Sequence, residues 1–398
     1  MKNVVVCCDG TWNTPDFRVG TNVWKLFLAM PENSKFQVKY YDTGVGTQGL
    51  KDKISGGLTG EGLVDNIFEA YRFICSHYTD GDKIFIFGFS RGAYTARALS
   101  GVLGDIGVLQ FDKGCQSSHF LSHHRTCFDN QMLSENNDKY DLSILCESCK
   151  NLLESITRIK QEFKAYKKEN YKAAKDHIRE HGAFPGNREP LKDRIEKVND
   201  GHWRYVPANI ELVGVWDTVS ALGIPSLTDL MKAKETWKRR VLNGVSNWLF
   251  KSSRKEYAFI NNQMNSSVRN GYHALALDEK RDLFKPVLWD AQDNVEQIWF
   301  VGAHSNVGGG YLDHSLSDIP LLWMIKKAEE HEIIFDRNCC SATRPNYLGL
   351  LNRSSKDGPF RFLPDSYRVL PVNKVIHDSV YGRIKNSIEY KPKNLFKK

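Results

Sequence analysis

Val4-Val5-Val6-Cys7-Cys8 is a short unbroken apolar run stopped by Asp9-Gly10, the pattern of a strand buried on both faces. From Phe36 to Tyr41 apolar residues alternate with polar ones, and the run ends in the glycine-rich loop Thr43-Gly44-Val45-Gly46-Thr47. The period then changes. Leu63, Ile67, Ala70, Tyr71 and Ile74 recur at helical spacing and predict an amphipathic helix through Tyr78. Asp80-Gly81-Asp82 turns the chain into the apolar run Lys83–Phe87, which is followed by Gly88-Phe89-Ser90-Arg91-Gly92 and a helical pattern from Ala93 to Leu103. Strand, helix, strand, tight turn, helix predicts an α/β fold: a mostly parallel sheet with helices on both faces.

Periodicity weakens over residues 112–205, and charges of both signs crowd together, as in Arg158, Lys160, Glu162, Lys164, Lys167 and Lys168. This stretch reads as a charged, mainly helical insertion. Sheet patterning resumes at Ile210–Trp216, closing on Asp217-Thr218, and again from Val295 to Val301, ending in Gly302-Ala303-His304. Ile319 to Glu329 has a helical pattern. Residues 330–398 read as a C-terminal extension packed on the core of one α/β-hydrolase-like domain spanning 1–398, with a basic tail from Lys385 expected to fray.

Composition narrows the function classes. At 41% hydrophobic and 12% aromatic over 398 residues, the chain has the apolar surface for a sizeable core, which excludes wholesale disorder. No apolar run approaches the roughly 18 residues of a membrane-spanning helix. The net charge of +8 suits an anionic membrane surface, but it is diffuse and accompanied by no nucleic-acid-binding motif, so no nucleic-acid partner is expected. Nine cysteines, an odd number, and an N-terminus that reads as a first strand instead of a secretory signal lead to the expectation of reduced thiols and synthesis in the cytoplasm.

Gly88-Phe89-Ser90-Arg91-Gly92 matches the nucleophile-elbow pattern G-x-S-x-G, and its flanks, an apolar strand before and a helix after, are those the elbow requires. An elbow serine needs a base, and the base an orienting carboxylate. Asp217 ends the run ELVGVWD and His304 follows VEQIWFVGA, so both fall at strand ends, in the order Ser, Asp, His. Asp217 also fits a helix-capping role, and Asp290, after Val287-Leu288-Trp289, is the rival acid. His273, within Tyr-His-Ala-Leu-Ala-Leu in a helical or extended segment, reads as a structural hydrogen-bonder, and His377 follows no clear strand end. The expected oxyanion donors are the backbone N–H of Arg91 and one from the loop after the first strand, Gly10 or Thr11; Asp9 fits equally a residue that ties this loop down through backbone hydrogen bonds and one that only forms a turn.

Six blocks in order, CCDGTWN, YYDTGVGT, IFIFGFSRGAYTARALSG, VGVWDTVSALG, YHALALDEKRDLFKPVLW and WFVGAHSNVGGGY, resemble the type VI secretion phospholipase effector-like catalytic domain, an α/β-hydrolase family long labelled a domain of unknown function. The resemblance implies a Ser90, Asp217 and His304 triad and a phospholipase A type of activity on membrane lipids. It also implies export by a non-classical route and a secretion or immunity partner protein. Asn306 departs from the family pattern, which has Asp at that position, and so removes a charge near the base.

Trp237-Lys238-Arg239-Arg240-Val241 and Trp248-Leu249-Phe250-Lys251 mix aromatic and basic residues, as in an interfacial lid or an inward-packed surface helix. Cys146 and Cys149 have zinc-ligand spacing, with Cys115, His119, His123, His124 and Cys127 upstream, but this set matches no zinc module, and no cofactor is expected to be required. The loops at Gly44–Gly46 and Gly308–Gly310 lack the lysine of a P-loop and read as tight turns beside the site. The sequence therefore points to hydrolysis of glycerophospholipid acyl esters. An esterase or thioesterase for soluble acyl substrates and a catalytically silent binding module are the rivals.

Overall fold

The computed structural model describes residues 1–10, 19–44, 60–111, 147–181, 191–197, 203–219, 262–356 and 365–396. In chain order the elements are β1 (Asn3–Cys8), α1 (Asn22–Ala29), β2 (Gln37–Asp42), α2 (Gly60–His77), β3 (Lys83–Phe89) and α3 (Arg91–Ile106). Next come β4 (Val108–Phe111), α4 (Glu147–His181), α5 (Leu191–Lys197), β5 (Trp203–Val206), β6 (Ile210–Trp216), β7 (Val268–Ala276) and β8 (Val295–Phe300). The chain continues through α6 (His304–Gly308), α7 (Asp318–Glu330), β9 (Val375–Ile376), α8 (Asp378–Asn386) and α9 (Lys393–Phe396).

Among the described residues seven strands form one sheet in the order β2-β1-β3-β6-β7-β8-β9, and every neighbouring pair is parallel. A parallel sheet needs both faces covered, and the alternation along β1 shows how. Val4, Val6 and Cys8 pack with Tyr71 and Ile74 of α2 and Leu99 of α3, whereas Val5 and Cys7 pack with Leu26 of α1 and Met324 of α7. Because all strands run the same way, their carboxyl ends share one edge. The register sets Gly88 level with Cys8, Trp216 with Phe89, Ala274 with Trp216 and Phe300 with Ala276. The residues that follow these ends, Asp9, Ser90, Asp217 and the segment from Leu277, therefore line the edge where ligand crevices form in such sheets.

Several elements differ from the sequence reading. The Tyr272–Leu277 segment, patterned for helix or strand, is mostly strand β7, because an unbroken apolar run carries no period to distinguish the two. Helix α1 was not apparent in the pattern. The insertion is bracketed by a strand pair that the pattern did not indicate: β4, just before it, pairs antiparallel with β5 at its end. Its helix α4 buries Leu152, Ile156, Ile159 and Phe163, at helical spacing, in the same cluster as Phe68 of α2. The basic tail is docked at its described end. Val380 and Tyr390 pack with Leu275 and Trp299, Tyr390 donates to Asp278 at 2.9 Å, and the buried Asn394 donates to Leu277 O at 2.9 Å. Among the described residues no helix is long and apolar enough to cross a membrane.

Candidate active site

Ser90 sits between β3 and α3 with φ 59° and ψ −119°, a region costly for a residue with a Cβ. The two flanking glycines make this turn possible. A Cβ on Gly88 would lie 2.5 Å from Gly92 O, and one on Gly92 would overlap the carbonyl oxygens of Cys8 and Asp9. Glycine thus lets β3, α3 and the end of β1 meet at the serine. Gly92→Ala is expected to destabilise the fold by about 3 kcal/mol, since the obstructing atoms are backbone; a shift in the urea midpoint would measure it.

The structure brings Ser90, Asp217 and His304 into one hydrogen-bonded line. His304 Nε2 is 2.8 Å from Ser90 Oγ, and His304 Nδ1 is 2.5 Å from Asp217 Oδ2. Nδ1 faces an ionised carboxylate, which can only accept, so Nδ1 carries the proton and Nε2 accepts from the serine hydroxyl. All three residues are buried. The rings of Phe89 and Phe284 lie 4.7 and 4.9 Å from the imidazole, and Gly308 leaves room for Phe89, whose ring a Cβ there would overlap. Burial between these rings pushes the His304 pKa below the ordinary 6.5, a shift that Asp217 opposes without cancelling.

Asp217 is wholly buried. Burial alone would raise its pKa. The charge of Arg368, together with hydrogen bonds from His304 and Arg368, outweighs that and holds the carboxyl well below its usual range. Oδ1 also accepts from Ala276 N at 2.9 Å, fixing the acid to the end of β7. The rival acid, Asp290, is exposed. His273 does as its setting predicts: burial first, then Arg97, brings its pKa down to about 3, and its neutral ring accepts from Thr218 N at 3.2 Å. It thereby pins the turn after Asp217. His377 caps α8, accepting from Ser379 N at 3.1 Å.

The loop after β1 is held by Asp9, whose carboxylate accepts from Gly10 N at 2.6 Å, Thr21 Oγ at 2.5 Å and Tyr41 OH at 2.6 Å. Gly10 N–H is thus engaged within the loop itself. Thr11, the other expected donor on this loop, lies outside the described residues. Arg91, the remaining expected donor, opens α3 directly after Ser90. The interfacial stretch at Trp237–Lys251 and Cys146 lie outside the described residues, as do Cys115, His119, His123, His124 and Cys127, and nothing is described of the Cys149 side chain. Among the described residues no group of three or more His, Cys, Asp or Glu is arranged to hold a metal.

Three further groups surround the base; Asn306 stood out in the sequence as a departure from the family pattern, whereas Glu279 and Arg368 carried no such mark. Glu279 accepts from His304 N at 3.1 Å and is itself gripped by Arg281 at 2.9 Å and Ser354 Oγ at 3.0 Å. Burial would raise the Glu279 pKa, but Arg281 brings it down to about 2, so it is ionised. Asn306 donates to Leu350 O at 3.1 Å and Asn352 Oδ1 at 3.0 Å. A carboxylate at 306 would set acceptor against acceptor, which gives the departure at this position a local reason. The third group is Arg368, which holds Asp217 through both its η nitrogens. It stands in a segment without periodicity, so no local signal marked it.

Residues 2–327 match the family model described as T6SS, Phospholipase effector Tle1-like, catalytic domain. An uncharacterized protein of Saccharomyces cerevisiae, YEL023C, is 31% identical over 123 residues, 27% of this chain and 18% of that protein. Among solved structures, an uncharacterized protein from Pseudomonas aeruginosa is similar with a TM-score of 0.40 at 14% identity, covering 87% of this chain and 49% of that one. A Tle1 effector bound to the VgrG spike of the type 6 secretion system is similar with a TM-score of 0.35 at 15% identity, covering 78% of this chain and 52% of that one. The chain thus spans about half the length of these two structures and under a fifth of the yeast protein.

Proposed function

Because this chain belongs to the Tle1-like catalytic-domain family of type VI secretion phospholipase effectors, we propose that it is a serine hydrolase that cleaves acyl esters of glycerophospholipids. The observation that carries this reading is the line from Ser90 Oγ through His304 to Asp217, at the carboxyl edge of the sheet. Ser90 Oγ attacks the ester carbonyl while His304 Nε2 takes its proton, and Asp217 holds the imidazolium that forms. The tetrahedral oxyanion lies by the start of α3, where the Arg91 N–H and a donor from the β1 loop stabilise it. Collapse breaks the ester C–O bond, His304 protonates the departing lysolipid alcohol, and an acyl-Ser90 remains. Water then gives its proton to His304 and adds to the acyl carbonyl, releasing fatty acid and restoring the serine. The proposed steps draw only on side chains and backbone, with no cofactor. The same reading calls for contact with a lipid surface, for export by a non-classical route, and for a secretion or immunity partner.

Fatty-acid release from phosphatidylethanolamine and phosphatidylglycerol liposomes tests the substrate class. Cleavage of short p-nitrophenyl esters with intact liposomes would favour a soluble-ester hydrolase, and failure to react with a fluorophosphonate would favour a silent binding module.

A pH dependence follows from the buried base. Burial disfavours imidazolium, so His304 remains a free base at neutral pH, and activity is lost only as pH falls below 6.5 toward its depressed pKa. The kcat/KM profile on a short ester is expected to show its acid midpoint below 6.5; a midpoint above that value contradicts the assignment of His304 as base.

A further inference from the structure

A wholly buried carboxylate is costly unless its charge is compensated and its lone pairs are filled. Asp217 receives that compensation from Arg368, which lies 151 residues further along the chain in the C-terminal extension, past the end of the family-matched residues. Arg368 Nη1 donates to Asp217 Oδ1 at 2.5 Å and Nη2 to Oδ2 at 2.9 Å, a fork on both oxygens. The same nitrogens donate to Ala276 O at 2.7 Å and Phe284 O at 2.6 Å. Ala276 ends the strand that carries the N–H donor to Asp217, and Phe284 supplies one of the rings against His304. One buried guanidinium therefore joins the acid, the strand end beside it and the wall of the base.

We infer that Arg368 is a positioning residue of the hydrolytic site, which fixes the Asp217 carboxylate for His304 and sets the pH at which the Asp217–His304 pair takes up its inactivating proton. The inference rests on the triad reading given above. The charged and titratable groups facing His304 are Ser90 after β3, Asp217 after β6, Glu279 and Arg281 after β7, and Arg368 behind Asp217. Glu279 and Arg281 are ion-paired at 2.9 Å, so their fields largely cancel at the imidazole. Arg368 is then the cation that offsets Asp217. Without it the pair binds its proton more tightly, whether the proton rests on nitrogen or on oxygen. The outcome for activity is the same in either case: the acid limb moves to higher pH.

The test is the rate at which a fluorophosphonate labels Ser90, followed against pH in wild type, Arg368→Gln and Arg368→Lys of the full chain. In Arg368→Gln the acid midpoint is expected to rise by about one unit, and the plateau rate to fall about 10- to 100-fold as Asp217 loses its fixed orientation. Arg368→Lys keeps the charge and loses the fork, so its midpoint should stay near that of wild type while its plateau falls about tenfold. An unmoved midpoint in a folded Arg368→Gln protein overturns the inference. If circular dichroism shows that the Gln variant does not fold, the Lys variant decides, and a wild-type plateau there overturns it. Labelling that persists in Ser90→Ala would instead defeat the triad reading itself, so the two failures are separable.

Discussion

Replacing Ser90 by alanine is expected to reduce fatty-acid release from liposomes by about 10⁶-fold while leaving the protein folded. The hydroxyl is the attacking atom in the proposed reaction, and its hydrogen bond to His304 Nε2 at 2.8 Å ties it to the base. Alanine keeps the Cβ and inherits the same backbone strain at φ 59°, so the elbow is neither relieved nor further burdened. The lost hydroxyl leaves His304 without one partner but still held by Asp217, so the stability change should stay within about 1 kcal/mol. Residual turnover would come from substrate binding and the oxyanion donors alone. Parallel measurements of release, fluorophosphonate labelling and urea unfolding check this. Release within tenfold of wild type would remove Ser90 from the chemistry.

Asp217→Asn should cost about 10⁴-fold in turnover, through two effects that act together. An amide can present its NH₂ to His304 and so favour the tautomer with its proton on Nε2, leaving no acceptor for the serine proton. It also carries no charge to hold the imidazolium. The same substitution leaves the Arg368 guanidinium buried against a neutral group, where the wild type has contacts of 2.5 and 2.9 Å to a carboxylate. Stranding one partner of a buried pair is expected to destabilise the fold by about 3 to 5 kcal/mol. Turnover measured well below the unfolding transition separates the two effects. A variant with normal activity and a lowered unfolding midpoint would reduce Asp217 to a structural ion-pair partner.

The sheet was legible where the sequence carries a local period or an abrupt stop. The runs at Val4–Cys8, Lys83–Phe87 and Ile210–Trp216 became the central strands because apolar residues on both faces suit a sheet covered on both sides. Ser90, Asp217 and His304 stood out because each follows such a run, and a parallel sheet delivers the ends of its strands to one edge. β7 and α1 were less legible: an unbroken apolar run fits either strand or helix, and a short helix shows too few turns to establish a period. The docked tail was misread because its charges suggested solvent, whereas Tyr390 and Asn394 reach polar partners that only the folded β7 loop presents.

What the sequence determined by itself is therefore the class of fold, the order of its central strands along the chain and the three residues that strand ends bring to one edge. These depend on neighbours within a few positions, where periodicity and turn chemistry act. The tertiary structure decided what surrounds them: Arg368 on Asp217, Glu279 on the backbone of His304, and Asn306 on the segment around Leu350. A buried charge or amide takes whichever complementary group the closed chain brings within hydrogen-bond reach. That group can come from 151 residues away, with no local pattern to announce it.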